Sequence, residues 1–253
     1  MKVYFLSDLH LEFNNPRPEL VPADVVILAG DIHQGRQNVL KTLNRFSKHY
    51  KHVLYCPGNH EYYNGGLELR SFCDLFPNPN VKILNPGWVD IGNYRFVGGT
   101  LWTNFGEDPL AQQLAQDWIQ DFKRAGLKTE SVKLEFYKQV EHFKLAYETR
   151  GDREVVFFSH FSPSLRSCHP KWGANLLNKY FHNQLDPWLE TLSGLWFHGH
   201  THDANRYQLG SLHILSNPYG YPQENKKYQP LVLNLAEKYP KYEYPKLEYP
   251  SQV

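Results

Sequence analysis

Five short β-prone runs, each closed by Asp, Asn or His, constrain this chain more than any other feature. They occupy residues 2–7, 24–29, 52–56, 154–159 and 194–197. The residues that follow are Asp8-Leu9-His10, Gly30-Asp31, Gly58-Asn59-His60-Glu61, His160, and His198-Gly199-His200-Thr201-His202. Continuous apolar runs of this length read as strands buried on both faces. Between the second and third, residues 35–50 place Val39, Leu40, Leu43 and Phe46 on one helical face. Strand, helix, strand is the pattern of a parallel sheet. In such sheets chemistry gathers at the carboxyl ends of the strands, which is where these polar residues fall.

The remaining segments fit around that sheet. Short strands are expected at 81–84, 88–91, 94–98, 206–209, 211–216 and 231–235, and a short helix at 66–76. Residues 109–149 are helical, with Val132, Phe136, Val140, Phe143 and Tyr147 forming an apolar stripe. This part either packs on the domain or caps the site. Trp102 and Phe105 either stack on a substrate ring or belong to the core. Residues 239–250 contain Tyr-Pro three times among charges and read as an extended surface arm. With 253 residues, 41% of them hydrophobic, the chain suits one domain over 1–253, with a helical insertion at about 106–150 and a tail at about 237–253.

A formal net charge of +1 gives no bulk electrostatic case for nucleic acid or an anionic membrane. Cys56, Cys73 and Cys168 are odd in number and lack paired spacing, which fits reduced thiols. No apolar run is long enough for a signal segment or a bilayer span. A cytoplasmic location is therefore expected.

The strand ends together present Asp8, His10, Asp31, Asn59, His60, His160, His200 and His202. Oxygen and nitrogen donors without thiolate suit Mn, Fe, Zn or Mg. The set is too large for one four-coordinate ion. It fits two ions about 3.5–4 Å apart that share a carboxylate.

In this order, Asp-x-His, Gly-Asp, Gly-Asn-His-Glu, a strand-ending His and Gly-His-Thr-His resemble the calcineurin-like metallophosphoesterase superfamily, over residues 8 to 202. The resemblance implies an α/β (α+β) fold, a four-layer α-β-β-α sandwich of two mixed sheets. It implies one metal held by Asp8, His10, Asp31 and His202, and a second held by Asp31, Asn59, His160 and His200, with Asp31 bridging. The implied reaction is dinuclear-metal-dependent hydrolysis of phosphomonoesters or phosphodiesters, by attack of a metal-bound hydroxide on phosphorus. Asp31 and His60 are the implied catalytic residues, His60 as the acid that protonates the leaving oxygen. The other reading of His60 is a residue that steadies the metal ligands and transfers no proton. Two divalent ions against two aspartates leave a net positive site that attracts phosphate.

The arginines that clamp phosphate in the protein Ser/Thr phosphatase branch are missing beside Gly30-Asp31 and Gly58-Asn59-His60. A small phosphorylated substrate, such as a nucleotide, is expected instead of a phosphoprotein. His33 and Arg166 are the candidate substrate contacts; Lys171 is a further cation in the same stretch as Arg166. His198 reads as a structural neighbour of the ligands. Two other functions compete. An inactive scaffold on the same fold would lack several ligands, and this chain has them all. A metallo-β-lactamase-type hydrolase echoes the His198-x-His200 cluster but leaves Asp8 and Asp31 unexplained.

Overall fold

The computed structural model describes residues 1–15, 17–65 and 78–237. Side-chain alternation along the buried strands produces its layers. In β1 (Lys2–Leu6), Val3 and Phe5 point one way, and Tyr4 and Leu6 the other, as a two-residue period requires. The same division recurs in β2 (Val25–Ala29), β3 (His52–Cys56), β7 (Glu154–Ser159) and β8 (Ser193–His198). One set, including Val3, Phe5, Ile27, Leu54, Phe158 and Phe197, forms a core between two sheets. The rings of Phe5 and Phe197 stack across it at 4.8 Å. The other set faces helices. Val26, Leu28 and Val53 join Val39, Leu43 and Phe46 of α1 (Arg36–Ser47), while Phe157 and Trp196 meet Phe143 of α4 (Thr129–Glu148). Helix, sheet, sheet, helix is the expected four-layer order.

Both sheets are mixed. The first runs β11 (Leu231–Asn234), β1, β2, β3, β4 (Val81–Ile83), parallel except for β11. The second runs β5 (Gly87–Ile91), β6 (Tyr94–Gly99), β7, β8, β10 (Ser211–Ser216), β9 (Asn205–Leu209). Its outer pairs are antiparallel and its inner pairs parallel. Register aligns Gly99, Ser159, His198 and Ser216 in one row. In the first sheet Leu6 pairs with Leu28, and Ala29 with Cys56. The chain therefore leaves the central strands of each sheet at a common end.

The helical stretch consists of three helices: α2 (Pro109–Trp118), α3 (Gln120–Arg124) and α4. Ile119, with φ −78° and ψ 126°, breaks the first from the second. Asp108 caps α2 by accepting from the Leu110 and Ala111 N–H groups. Val132, Phe136, Val140 and Phe143 are buried, so the apolar stripe of α4 packs on the domain. Trp102 and Phe105 are each 1% exposed and belong to the core, not to a substrate surface. Helix α1 ends at Ser47, short of the expected residue 50. Cys56 and Cys168 are free thiols, and no described helix is long and apolar enough to cross a membrane. The expected helix at 66–76, Cys73 and the tail from residue 238 lie outside the described residues.

Arg95 of β6 ties the second sheet to the end of α4. It pairs with Asp90 at 2.7 Å and donates to the Ala146 carbonyl and the Thr149 hydroxyl, each at 3.0 Å. A cation at a helix C-terminus also complements the dipole. Arg95→Ala is expected to lower stability by about 2 kcal/mol. Urea unfolding followed by circular dichroism measures it, and an unchanged midpoint would remove Arg95 from this role.

Candidate metal centre

The turns that leave the strands are forced ones. Asp8, His10, Asp31, His200 and His202 all have positive φ, between 43° and 69°, in the left-handed region that non-glycine residues rarely occupy. This backbone reverses sharply after each strand and brings all five side chains to one hollow. Neighbouring glycines make room. A Cβ on Gly58 would sit 2.2 Å from Asp31 Oδ1, and one on Gly199 would sit 2.5 Å from Asp8 Oδ2.

Ligand-type atoms then crowd together. His10 Nε2 lies 3.0 Å from His202 Nε2 and 3.7 Å from Asp31 Oδ2. His202 Nε2 is 3.5 Å from Asp8 Oδ1. On the other side of Asp31, His160 Nε2 is 3.5 Å from Asp31 Oδ2 and 2.8 Å from Asn59 Oδ1. Donor atoms around a Zn or Mg ion, with bonds of about 2.0–2.2 Å, sit about 3 Å apart. Asp31 Oδ2 thus faces histidines on two sides.

The imidazoles are oriented from behind. His10 Nδ1 faces Glu12 Oε1 at 3.2 Å, His160 Nδ1 faces the Ala29 carbonyl at 3.0 Å, and His202 Nδ1 faces Glu224 Oε2 at 2.6 Å. Each ring thereby turns Nε2 inward, the arrangement usual for metal-bound histidine. Asp8 Oδ2 and His200 Nε2 are buried with no hydrogen-bond partner. Buried polar atoms are normally satisfied, so these two suit a cation. The donor chemistry, the inward nitrogens and the orphan atoms together fit divalent ions.

The charges depend on one another. Burial opposes protonation of His160, but Asp31 and Asp8 outweigh it and raise the pKa to about 9. For His202 burial is likewise outweighed, by Asp8 and Glu224, and the value rises to about 10. Burial would raise Asp31 and Asp8, yet His160 acting on Asp31, and His202 on Asp8, hold both well below the usual carboxylate range.

Four residues that motif reading did not single out support this cluster, Glu224 behind His202 being one. Glu12 Oε1 accepts from His60 Nδ1 at 2.8 Å as well as from His10. Asp121 accepts from Asn59 Nδ2 at 2.9 Å. The Tyr221 ring lies 4.4 Å from the His10 ring and 4.6 Å from the His202 ring, with its hydroxyl 3.5 Å from His60 Nε2. The only sequence signal for Tyr221 is its Asn-Pro-Tyr-Gly-Tyr turn; Glu12 and Asp121 have none.

Asp31, Asn59, His60, His200 and His202 line the floor of a cavity of about 780 Å³. Its walls come from Trp118 to Asp121 of the helical insertion and from Lys171 to His182. The two candidate substrate contacts are placed elsewhere. Arg166 pairs with Asp186 at 3.2 Å and Glu190 at 3.8 Å, so carboxylates outside the cavity already hold its guanidinium. His33 turns Nδ1 to the Gln34 carbonyl at 2.9 Å and does not line the cavity. Lys171, paired with Asp203 at 2.8 Å, does line it. His198 faces Ser167 Oγ at 2.8 Å, and burial lowers its pKa to about 4. It is a neutral structural residue, and His198 is in none of the described residues' metal-ligand groups, so the His198-x-His200 pairing of a metallo-β-lactamase-type site is not assembled.

Comparison with known proteins agrees with this geometry. A family model described as calcineurin-like phosphoesterase matches residues 1–204. An uncharacterized protein, L509 of Acanthamoeba polyphaga mimivirus, is 24% identical over 277 residues, covering 89% of this chain and 93% of that one. The crystal structure of phosphopantetheinyl hydrolase from Mycobacterium tuberculosis superposes with a TM-score of 0.71 at 16% identity, over 90% of this chain and 93% of that chain. At that identity the likeness is one of fold.

A divalent ion entering the cluster must displace protons from His160 and His202, since both imidazoles are charged below about pH 9. Titration of metal-stripped protein at pH 8 is expected to release about two protons per chain, and metal affinity should rise with pH up to about 10. A pH indicator in weak buffer reads the release; metal uptake without it would show that these rings stay protonated.

Proposed function

The chain belongs to the calcineurin-like phosphoesterase family of metal-dependent phosphoester hydrolases, and on that premise we propose that it hydrolyses phosphomonoesters or phosphodiesters of small ring-bearing molecules, such as nucleotides, at a two-ion centre. The observation that carries this reading is the convergence of two sets of inward-facing donors on Asp31 Oδ2. Asp8, His10, Asp31 and His202 would hold one ion, and Asp31, Asn59, His160 and His200 the other. When bound, the two ions supply Lewis acidity toward the phosphoryl oxygens and the attacking water.

The other steps belong to side chains. His60 turns Nε2 toward the cavity, 3.9 Å from Asp31 Oδ2, with Nδ1 against Glu12. Burial opposes its charging, but Asp31 and Glu12 prevail and raise its pKa. Glu12 fixes the ring, and His60 gives the Nε2 proton to the leaving oxygen. Lys171, paired with Asp203, lines the cavity and is the cation nearest a bound phosphate there, whereas Arg166 does not line it.

The cavity supports the ring-bearing substrate. Its volume is far larger than a phosphate needs and falls within the small-molecule range of about 300–1,000 Å³. Trp118 and Trp172, 70% and 56% exposed, line it, although tryptophan normally gains from burial. A planar base stacked there would cover them.

Asp31→Asn is expected to abolish metal-dependent hydrolysis of p-nitrophenyl phosphate with an unchanged circular dichroism spectrum; full activity would overturn the shared-carboxylate role. His60→Ala should lower kcat/KM for alkyl esters about 10²-fold or more, and much less for aryl esters. Equal losses on both would argue against proton donation. A screen of nucleotides, cyclic nucleotides, dinucleotides and sugar phosphates with Mn, Fe, Zn and Mg tests the substrate. Trp118→Ala and Trp172→Ala should raise KM for a nucleotide and leave that for glycerol phosphate, which has no ring, unchanged.

A further inference from the structure

The helical insertion delivers a single carboxylate to the cavity wall beside Asn59. Asp121 of α3 is 5% exposed and accepts from the Asn59 amide at 2.9 Å and from the hydroxyls of Tyr63 and Tyr180. Three separate segments meet at this group: the turn after β3, the insertion, and the short helix α5 (Asn178–Phe181). The Arg124 guanidinium, from the same helix, lies 4.5 Å over the Tyr63 ring and adds to the contact.

The chemistry of the contact is directional. An amide side chain is nearly symmetric in shape, and a flip exchanges a donor for an acceptor. A carboxylate offers only acceptors, so the NH₂ end of Asn59 must face Asp121. Its oxygen then points the opposite way, 2.8 Å from His160 Nε2 and into the cluster around Asp31. Only the oxygen end of an amide can bind a cation.

We infer that Asp121 is a positioning residue for the metal centre, holding the Asn59 amide with its oxygen toward the ion that Asp31 and His160 would share. This rests on the two-ion reading above. It makes the insertion a working part of the centre and not only a wall of the cavity. A purely structural Asp121, pinning the insertion to the domain, would affect stability and leave the affinities of the two ions in their original ratio.

Calorimetric titration of metal-stripped protein with Mn²⁺ separates these roles. Wild-type protein is expected to take two ions. Asp121→Asn, which lets the Asn59 amide satisfy either orientation, should weaken one ion by about 10–100-fold and leave the other unchanged. Asp121→Ser, whose hydroxyl can likewise donate or accept, should weaken the same ion. Both ions bound as in wild type by Asp121→Asn would overturn the inference while the two-ion reading stands. Wild-type protein that takes fewer than two ions would overturn that reading itself. Should Asp121→Asn fail to fold by circular dichroism, Asp121→Ser decides alone: one ion weakened supports the inference, and both ions bound as in wild type overturn it.

Discussion

Four backbone N–H groups from two loops end on the carboxylate of Glu61. Gly58 reaches Oε2 at 2.6 Å and Asp31 reaches it at 3.0 Å; Ile32 and His33 reach Oε1 at 2.8 Å and 3.3 Å. The strand ladders stop at Ala29 and Cys56, so the sheet supplies these donors with no partner. Left unsatisfied, each buried donor would cost about 1–3 kcal/mol. Glu61 removes that cost and in doing so sets the distance between the loop that carries Asp31 and the loop that carries Asn59 and His60. Asp31 Oδ1 then accepts from the His60 N–H at 2.8 Å, which closes the unit. Burial and the nearby Asp31 push the Glu61 pKa up to about 7, although His160 and the Gly58 and Ile32 N–H groups pull it down. Two buried carboxylates so close are a reason for the pocket to favour cations.

The same economy of hydrogen bonds holds the strained turns. Left-handed backbone at a non-glycine residue costs about 1–3 kcal/mol where it persists, and five of the strand-end residues adopt it. The turns are laced to one another rather than to their own strands. Asp8 N–H donates to the Gly30 carbonyl, His10 N–H to the Asp31 carbonyl, and Gly199 N–H to the His160 carbonyl. His200 N–H donates to Asp8 Oδ1 at 2.9 Å. Each turn is thus kept in its conformation by a turn from another strand, and the last two bonds bridge elements far apart in the chain. Rigidity here comes from this cross-bracing and not from any single loop.

The walls of the cavity follow different physics. They come from segments far apart in the chain, joined through Asp121, Tyr63 and Tyr180 on one side and through the turn at Tyr221 on the other. Tyr219 and Gly220 donate their N–H groups to the carbonyls of Ser7 and Asp8, so that turn is clipped to the end of β1. Exposed Trp118 and Trp172 face the space between these walls. The floor gathers carboxylate and imidazole donors, and the walls expose two indoles.

The layered fold was legible because its cause is local. Residues 2–6, 25–29 and 154–159 contain continuous apolar runs of strand length that can be read off the chain directly, and polar residues after such runs have only the strand ends to occupy. Glu12, Asp121, Tyr221 and the displacement of Arg166 were not legible. Their partners lie 48, 62, 161 and 20 positions away, at His60, Asn59, His60 and Asp186, and no spacing along the chain encodes such a meeting. The break at Ile119, which turns a single expected helical stretch so that Asp121 enters the cavity, belongs to the same class. The amino-acid order by itself determined which atoms of this protein lie at the ends of its strands, because strand period and turn chemistry act over a few residues. Only the tertiary structure decided which carboxylates stand behind them and which cations reach the cavity, because those choices are made by hydrogen bonds and burial between segments that meet nowhere but in the folded chain.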